Sequence, residues 1–332
     1  MKRSFAPLLR CPACQSAFDL TVDAGDDERV ESGRLTCAKC GKSYPIVRSI
    51  PRFVSSDNYA NSFGFQWNRF RRTQLDSHTG LPLSRDRLRF STGWDPVELR
   101  NQTILDIGCG AGRFTEVAAG DAEQVIAVDY SDAVEACREN LRGASNVEVV
   151  QADIYRLPFP KRSFRFVYCL GVLQHTPDVQ EAFRSLAEHV AEDGRLAVDV
   201  YPKLWRNVLW SKYWVRPLTK TMSRGRLFSL VEAMVRYLLP ISLVVGRIPV
   251  VGRRLRYAIP VANHEPDFPL TPEQVREWAV LNTFDMLAPA HDHPQSAKTL
   301  TRWFSEAGFR KVEVFRRGHL IGRGIRMGPA GR

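Results

Sequence analysis

A glycine-rich stretch directly follows an apolar run in the segment 104–114, which reads ILDIGCGAGRF. Gly108, Gly110 and Gly112 permit a tight turn that approaches a ligand without Cβ clashes. The third glycine comes one residue earlier than in the dinucleotide-binding pattern, which occupies a similar strand, turn and helix. The turn therefore predicts a small-molecule site, but it does not by itself identify the molecule.

Carboxylates follow the next two predicted strands. The strand Val125–Val128 ends at Asp129, 21 residues after Gly108, where a carboxylate can accept both hydroxyls of a ribose. The strand Val147–Val150 ends near Asp153, for which a local turn bond is the alternative role.

Imidazoles form the second group of candidates. His175 follows a fourth predicted strand, Phe164–Leu170, and the usual pKa of histidine, about 6.5, suits a general base for a hydroxyl. The alternative is that His175 packs beside the next helix or lines the pocket. A second cluster is open to metal binding, but its short H-D-H spacing favours substrate contact or a structural role. Its members are Asp285, His291, Asp292 and His293.

Two C-x-x-C pairs lie near the amino terminus. Cys11, Cys14, Cys37 and Cys40 can close a tetrahedral zinc site. No fifth ligand is apparent, so a structural zinc is predicted, with four reduced thiols as the alternative. The other three cysteines lie singly in apolar segments, which suits a reducing compartment.

Composition predicts a globular and soluble protein. The chain has 332 residues, of which 44% are hydrophobic, enough to bury a large core. We find no signal-length apolar stretch at the start and no run of the roughly 18 apolar residues that a membrane span needs. A cytoplasmic location is expected.

The net charge of +11 is unevenly distributed, because residues 201–260 hold twelve lysines and arginines but only one acid, Glu232. Residues 204–260 also hold many apolar side chains, so they suit a helical lid, an anionic membrane surface or RNA. Notable members are Trp205, Trp210, Trp214, Ile241, Val244, Arg253, Arg254 and Arg256.

Alternating strands and helices predict an α/β fold with a parallel sheet. A fifth strand is predicted at 194–201, a helix at 296–308 and a final hairpin at 311–327, and Thr176 is predicted to cap the helix after strand four. The predicted architecture is a Rossmann-like, doubly wound, seven-stranded sheet with a small amino-terminal zinc ribbon and a mainly helical insertion. The predicted units are 1–55 (ribbon), 56–101 (helical linker covering the cofactor), 102–201 with 296–332 (core) and 202–295 (substrate-side insertion).

The ordered motifs D-I-G-C-G-A-G, V-D-Y-S, Q-A-D-I and L-G-V-L-Q-H-T-P-D resemble those of class I S-adenosylmethionine-dependent methyltransferases. The resemblance implies that Asp106 and the backbone at Gly108, Cys109 and Gly110 meet the methionine part of the cofactor. It further implies that Asp129 meets the ribose, and Asp153 with Ile154 the adenine. The predicted cofactor site is completed by Gly112, Tyr130 and Leu170.

Two further stretches carry weaker resemblances. Residues 5–54 resemble the zinc-ribbon module related to the small activator subunits of tRNA and protein methyltransferases. The segment S-F-G-F-Q-W-N-R-F resembles one that precedes the core in bacterial enzymes modifying glycans and natural products. Its interleaved aromatics and arginines could stack on nucleic-acid bases, but an amphipathic helix packed on the core is the preferred interpretation.

These observations favour an enzyme that moves a methyl group from S-adenosylmethionine to an O or N atom of a small or lipid-linked molecule, such as a sugar or natural product. An RNA base methyltransferase is the first alternative, because a zinc ribbon joined to this core also resembles a bacterial rRNA guanine methyltransferase. A non-catalytic scaffold with a vestigial cofactor fold is the second. Peripheral contact with the inner face of the membrane, through residues 204–260, is left open.

Overall fold

The computed structural model describes residues 1–55, 58–204, 210–265 and 267–328. Trp205, one of the aromatic residues of the predicted basic surface, lies outside the described residues, as does the side chain of Arg253.

The amino-terminal region contains a small antiparallel sheet with the order β1-β2-β3-β4. A 3-10 helix (Arg3–Leu8) precedes β1 (Phe18–Gly25), β2 (Val30–Cys37), β3 (Ser43–Val47) and β4 (Ile50–Pro51). The predicted helical linker follows as α1 (Asn61–Arg69), α2 (Asp76–Thr79), α3 (Leu83–Thr92) and α4 (Pro96–Leu99).

The core alternates strands with helices. Its elements are β5 (Thr103–Ile107), α5 (Arg113–Asp121), β6 (Gln124–Asp129), α6 (Ala133–Asn140), β7 (Val147–Gln151), β8 (Phe164–Cys169), α7 (Val179–His189) and β9 (Val190–Val200), with a 3-10 turn at Leu173–His175. Residues 152–163, all of them described, contain no helix, so the alternation is interrupted between β7 and β8.

The insertion is helical in its described part. It contains α8 (Ser211–Thr219), α9 (Arg224–Gly246), α10 (Gly252–Leu255), a 3-10 turn (Arg256–Ala258) and α11 (Pro272–Leu287). The chain then returns to the core through α12 (Ala297–Glu306), β10 (Phe309–Arg317) and β11 (His319–Arg326).

Seven of the described strands form one sheet with the order β10-β11-β9-β8-β5-β6-β7. Strands β5 to β9 pair in parallel, whereas β11 pairs antiparallel with both β9 and β10. The parallel strands are almost fully buried, as expected for strands covered by helices on both faces. The predicted Rossmann-like α/β fold, with its hairpin-paired last strand, is confirmed.

The amino-terminal sheet packs on the β7 edge of the large sheet. Arg52 forms a parallel bridge with Gln151, and the Phe53 amide donates to the Gln151 carbonyl at 2.8 Å. Apolar residues of the small sheet, including Leu35 and Ile46, belong to the same buried cluster as the core strands. The boundary predicted at residue 55 therefore separates two sheets that share a core.

Two local predictions are corrected. The helix after His175 is capped by Asp178, whose carboxylate accepts from the Glu181 amide, and not by Thr176. The Thr176 hydroxyl donates instead to the Leu173 carbonyl at 2.7 Å, so it belongs to the preceding turn. Strand β9 also begins earlier than predicted, at Val190.

Helix α9 changes one expectation from composition. Among the described residues it is the helix that is long and apolar enough to cross a membrane, by length and composition only, and 28% of its apolar window is buried. No segment of that kind was expected from the sequence, in which Glu232 and Arg236 interrupt the apolar stretch.

Candidate active site

A cavity of about 910 Å³ lies at the carboxyl ends of the core strands. This is the edge at which parallel α/β sheets bind their ligands. One wall is formed by the glycine turn and the ends of β6 and β8. The opposite walls come from α1, α3, the insertion and the start of β11, so the linker and the insertion help to enclose the site.

The glycine turn has the backbone that its sequence requires. Gly108 and Gly110 have φ values of 81° and 53°, in the left-handed region that favours glycine. A Cβ on Gly108 would lie 2.1 Å from Val172 Cγ2. The amides of Gly108 and Cys109 donate to the Val128 carbonyl at 2.7 and 3.0 Å, which ties the turn to the end of β6.

Asp129 stands where the turn meets β6. Its carboxylate accepts from the Gly110 amide at 2.9 Å, the Ser131 amide at 2.8 Å and the Ser131 hydroxyl at 2.7 Å. Burial raises the pKa of Asp129, and the Ser131 and Gly110 donors oppose that shift. The carboxylate lines the cavity, and a carboxylate has about four acceptor sites, so it can also accept from a ligand hydroxyl.

The predicted cofactor residues divide into two groups. Gly108, Cys109, Gly110, Asp129, Tyr130, Ile154 and Leu170 line the cavity. Asp106, Gly112 and Asp153 are not among its lining residues.

Each of the three makes local contacts within the protein. The Asp106 carboxylate is buried and accepts from the Thr115 hydroxyl at 2.6 Å, and burial raises its pKa to about 7. A Cβ on Gly112 would meet the Cys137 sulfur at 3.0 Å, so this glycine allows α5 to approach α6. Asp153 accepts from the Tyr155 amide at 3.0 Å, which is the local turn bond named as its alternative.

His175 lies in the cavity wall between two aromatic rings. Its ring centroid is 5.2 Å from that of Phe63 and 5.4 Å from that of Tyr201. Its Nδ1 lies 3.0 Å from the His291 carbonyl, which can only accept, so Nδ1 donates and Nε2 keeps a free lone pair. Burial lowers the pKa of His175, with Asp285 opposing the shift. The imidazole is therefore neutral near pH 7 and able to take a proton.

A second imidazole group was missed by the sequence analysis. Asp199, buried near the end of β9, accepts from Arg87 at 2.7 Å and from the Gly171 amide at 2.5 Å, and it lies 3.1 Å from His319 Nδ1. Burial opposes ionisation, but Arg87 and His319 hold the pKa of Asp199 well below its usual value. Arg87 and His319 both line the cavity. The sequence signal that could have revealed this group is Asp199 itself, a carboxylate between Val198 and Val200 in an otherwise apolar stretch of the strand.

One member of the acid and imidazole cluster of the insertion, Asp292, is held in ion pairs. The Asp292 carboxylate lies 3.2 Å from Lys212 Nζ and 2.8 Å from Arg216 Nη1. Asp285 accepts from Gln66 at 3.2 Å and lines the cavity. In the described part of the chain, the cluster is not among the groups that could hold a metal ion. The geometry favours the structural and substrate-contacting interpretation over metal binding.

Arg113 is a further residue that sequence reasoning missed. It directly follows Gly112 and lines the cavity, and its side chain donates to Ser84 Oγ at 3.2 Å and to Gln74 Oε1 at 2.5 Å. No ion pair to Arg113 occurs among the described residues. Burial and the neighbouring Arg87 lower its pKa to about 9. Asp76 and Asp199 oppose that shift from a distance, so the cavity holds a cation that is in no direct ion pair with the described protein groups.

The four predicted zinc ligands converge. The sulfur atoms of Cys11, Cys14, Cys37 and Cys40 all lie within 4.8 Å of one another. The Cys11–Cys40 and Cys14–Cys37 separations are 3.7 and 3.4 Å, close to the roughly 3.8 Å between sulfurs in a tetrahedral site with zinc–sulfur bonds of about 2.3 Å. The residues present therefore fit a zinc ion.

Comparison with known proteins supports the core assignment. Residues 105–198 match the family model described as methyltransferase domain. A ubiquinone/menaquinone biosynthesis C-methyltransferase of Enterobacter is 34% identical over 111 residues, which are 31% of this chain and 44% of that protein. An uncharacterised methyltransferase of Bacillus subtilis is 33% identical over 102 residues, 30% of this chain and 40% of that protein. The resemblance of the core to class I S-adenosylmethionine-dependent methyltransferases is confirmed.

The matches extend over limited parts of each chain. The chain spans less than half of the length of these curated relatives. A solved structure of a methyltransferase-like protein from Methanococcus maripaludis aligns over 83% of this chain and 97% of its own, with 13% identity and a TM-score of 0.45.

Proposed function

We propose that this chain, whose residues 105–198 belong to the methyltransferase domain family, moves a methyl group from S-adenosylmethionine to an O or N atom of a small or lipid-linked molecule. The observation that carries the proposal is the cavity in which the glycine turn, Asp129 and His175 line one continuous space. The turn backbone would hold the methionine part, Asp129 the ribose, and Tyr130, Ile154 and Leu170 the adenine.

The bound cofactor supplies a sulfonium methyl group, which an acceptor lone pair attacks while the carbon–sulfur bond breaks and the sulfur keeps the electron pair. The protein holds the reacting groups in line and excludes water, and such positioning supplies much of the rate. Apolar and aromatic residues of the cavity wall, including Phe63 and Trp67, exclude water from the reacting groups. The proton lost by an acceptor hydroxyl passes to His175 Nε2, whose orientation is fixed by the His291 carbonyl.

The acceptor class is tested with methyl-labelled S-adenosylmethionine. We expect label to enter a product from a lipid or small-molecule extract, in equal amount with S-adenosylhomocysteine, and we expect cleavage chemistry to identify an O- or N-methyl bond. The Enterobacter relative is named a C-methyltransferase, so a methyl group on carbon would favour that class instead. Label that enters only RNA would overturn the proposed acceptor class.

Arg113 gives a prediction about the cofactor. Its guanidinium lines the cavity beside the glycine turn without a direct ion pair, and we propose that it holds the methionine carboxylate, because charge-assisted hydrogen bonds contribute about 1.5–3 kcal/mol. We expect Arg113→Met to weaken S-adenosylhomocysteine binding by about 10-fold or more, and Arg113→Lys to do so less. Methylthioadenosine lacks the amino acid part, so calorimetry should find its affinity unchanged. Equal weakening of both ligands would contradict the assignment.

We further propose that the four cysteines hold one structural zinc, which supplies a tetrahedral link between the two C-x-x-C turns. Elemental analysis is expected to find about one zinc per chain and to lose it in Cys37→Ser. Because the small sheet shares the core and bridges β7 at Gln151, hydrogen exchange should rise in residues 1–55 and in β7. Cys169→Ser, which alters a buried cysteine outside the cluster, serves as the control. Full zinc content in Cys37→Ser would contradict the proposal.

The lipid-linked class and a peripheral membrane contact through residues 204–260 are supported by the exposed apolar side chains of this region. One arginine proposed for that contact, Arg256, is buried. Its side chain is 6% exposed and its Nη2 lies 2.9 Å from Asp267, so it is not a free surface cation. The side chain of Arg253 lies outside the described residues.

A further inference from the structure

The large apolar side chains that are strongly exposed are concentrated in the insertion. In the described part of the chain, only Val47 and Val97 of this group lie elsewhere. The remaining members lie between residues 214 and 257. Single exposed apolar residues are ordinary, but a contiguous apolar surface marks a binding site.

Helix α9 carries an ordered stripe of these residues. Leu230, Tyr237, Ile241 and Val244 are spaced so that they fall within about 40° of one line along the helix, which turns by about 100° per residue. Tyr237 and Val244 are each 66% exposed and Ile241 is 52% exposed. Ile248, Val250, Val251 and Leu255, which follow the helix in the chain, are exposed as well. We call this set of eight residues the α9 surface.

The opposite side of α9 already packs on the protein. Leu227, Val231, Val235 and Leu239 are buried in a cluster with residues of α11. A helix that covers a soluble domain carries polar residues on its outer side, whereas one that is apolar on both sides has a second apolar environment. The packing of α9 on α11 therefore does not explain its exposed stripe.

The charged residues around the α9 surface indicate what it contacts. Exposed cations flank the α9 surface, namely Lys220, Arg224, Arg226, Arg236, Arg254 and Arg247, the last of which pairs with Glu265 at 2.7 Å. The one acid between residues 201 and 260 is Glu232, which lies 3.9 Å from Arg69. Apolar and aromatic residues bordered by cations suit the interface of an anionic bilayer. A symmetric contact with a second copy would bring the same arginines together, and an RNA surface would not require the aliphatic stripe.

The α9 surface adjoins the cavity. Tyr257 is 47% exposed and also lines the cavity, and it follows Leu255 of the α9 surface by two residues. Its ring stacks on Trp210 at 5.4 Å with an interplanar angle of 12°, and its carbonyl accepts from Ser211 Oγ at 3.1 Å. A molecule held in the bilayer beside Leu255 thus meets a wall of the cavity at Tyr257.

We propose that the α9 surface docks on an anionic bilayer and that a lipid-linked acceptor enters the cavity past Tyr257. The entry route rests on the proposed methyl transfer, whereas the docking does not, so the two are measured separately.

Docking is tested by co-sedimentation of the full chain with vesicles. We expect binding to vesicles of phosphatidylglycerol and phosphatidylcholine at low salt, at least 10-fold weaker binding to phosphatidylcholine alone, and release at high salt. The double variant Ile241→Glu, Val244→Glu should weaken binding by 10-fold or more. Val97→Glu, at an exposed valine on α4 that is 63% accessible, should bind as the native chain does.

Three results would overturn docking: no sedimentation with anionic vesicles at low salt, native binding by the double variant, or a dimer in solution that the double variant abolishes. Calorimetry with S-adenosylhomocysteine distinguishes a failure of docking from a failure of the methyl transfer proposal, because the double variant should keep native cofactor affinity. The entry route is tested by Tyr257→Ala with a lipid-linked and a short-chain acceptor. A change in KM for the lipid-linked acceptor alone would support the route. Equal changes in KM for both acceptors would overturn it.

Discussion

Replacing His175 by alanine is expected to lower kcat by about 100-fold or more while the affinity for S-adenosylhomocysteine stays near the native value. Removal of a positioned general base typically costs a factor of this size. The imidazole lies in the cavity wall, and its Nε2 is left as an acceptor by the Nδ1 contact with the His291 carbonyl. Steady-state kinetics with a hydroxyl acceptor, together with calorimetry, measures both quantities.

The pH profile provides an independent check. Burial lowers the pKa of His175 below its usual 6.5, so the base stays unprotonated at neutral pH. Activity should therefore fall only as the pH drops below about 6.5, and this acidic limb should disappear in His175→Ala. His293→Ala, at an exposed histidine in the described structure, is the matched control. If His319→Ala caused the large loss and His175→Ala did not, the proton would pass to the imidazole beside Asp199.

Replacing Asp129 by alanine is expected to weaken S-adenosylmethionine and S-adenosylhomocysteine binding by about 30-fold or more, which corresponds to about 2 kcal/mol. The change removes the proposed acceptor of the ribose hydroxyls. It also removes the acceptor of the Gly110 amide, which helps to hold the glycine turn. Calorimetric titration of the native chain and the variant measures the difference.

Asp153→Ala is the matched comparison for Asp129→Ala. Asp153 also follows a core strand, but it is not a lining residue and its observed bond is to the Tyr155 amide. We therefore expect Asp153→Ala to change cofactor affinity by less than about 3-fold. A loss of affinity as large as that of Asp129→Ala would contradict this expectation and support the contact between Asp153 and adenine that the sequence resemblance implies.

The fold could be predicted well where local pattern and packing agree. The strand β5, the glycine turn and Asp129 lie within one run of about 25 residues, and their roles follow from backbone requirements that the sequence displays. Seven strands and the antiparallel hairpin at the end were expected and are confirmed. Helix starts were less certain, because Thr176 and Asp178 both suit a cap and only tertiary contacts decide between them.

The site could be predicted only in part, because several of its contacts join residues distant in the chain. Asp199 meets His319 across 120 residues, and neither residue belongs to a recognisable motif. Arg113 belongs to the glycine motif, but its surroundings depend on Ser84 of α3 and on Gln74, which lie about 30 to 40 residues before it in the chain. The interior position of Arg256 likewise depends on Asp267, which a count of charges along the chain cannot reveal.

The central claim is most directly tested by equilibrium binding of labelled S-adenosylmethionine to the purified chain. The proposal predicts one site per chain, displacement by S-adenosylhomocysteine, and no displacement by NAD. Tight binding of NAD without binding of S-adenosylmethionine would contradict it.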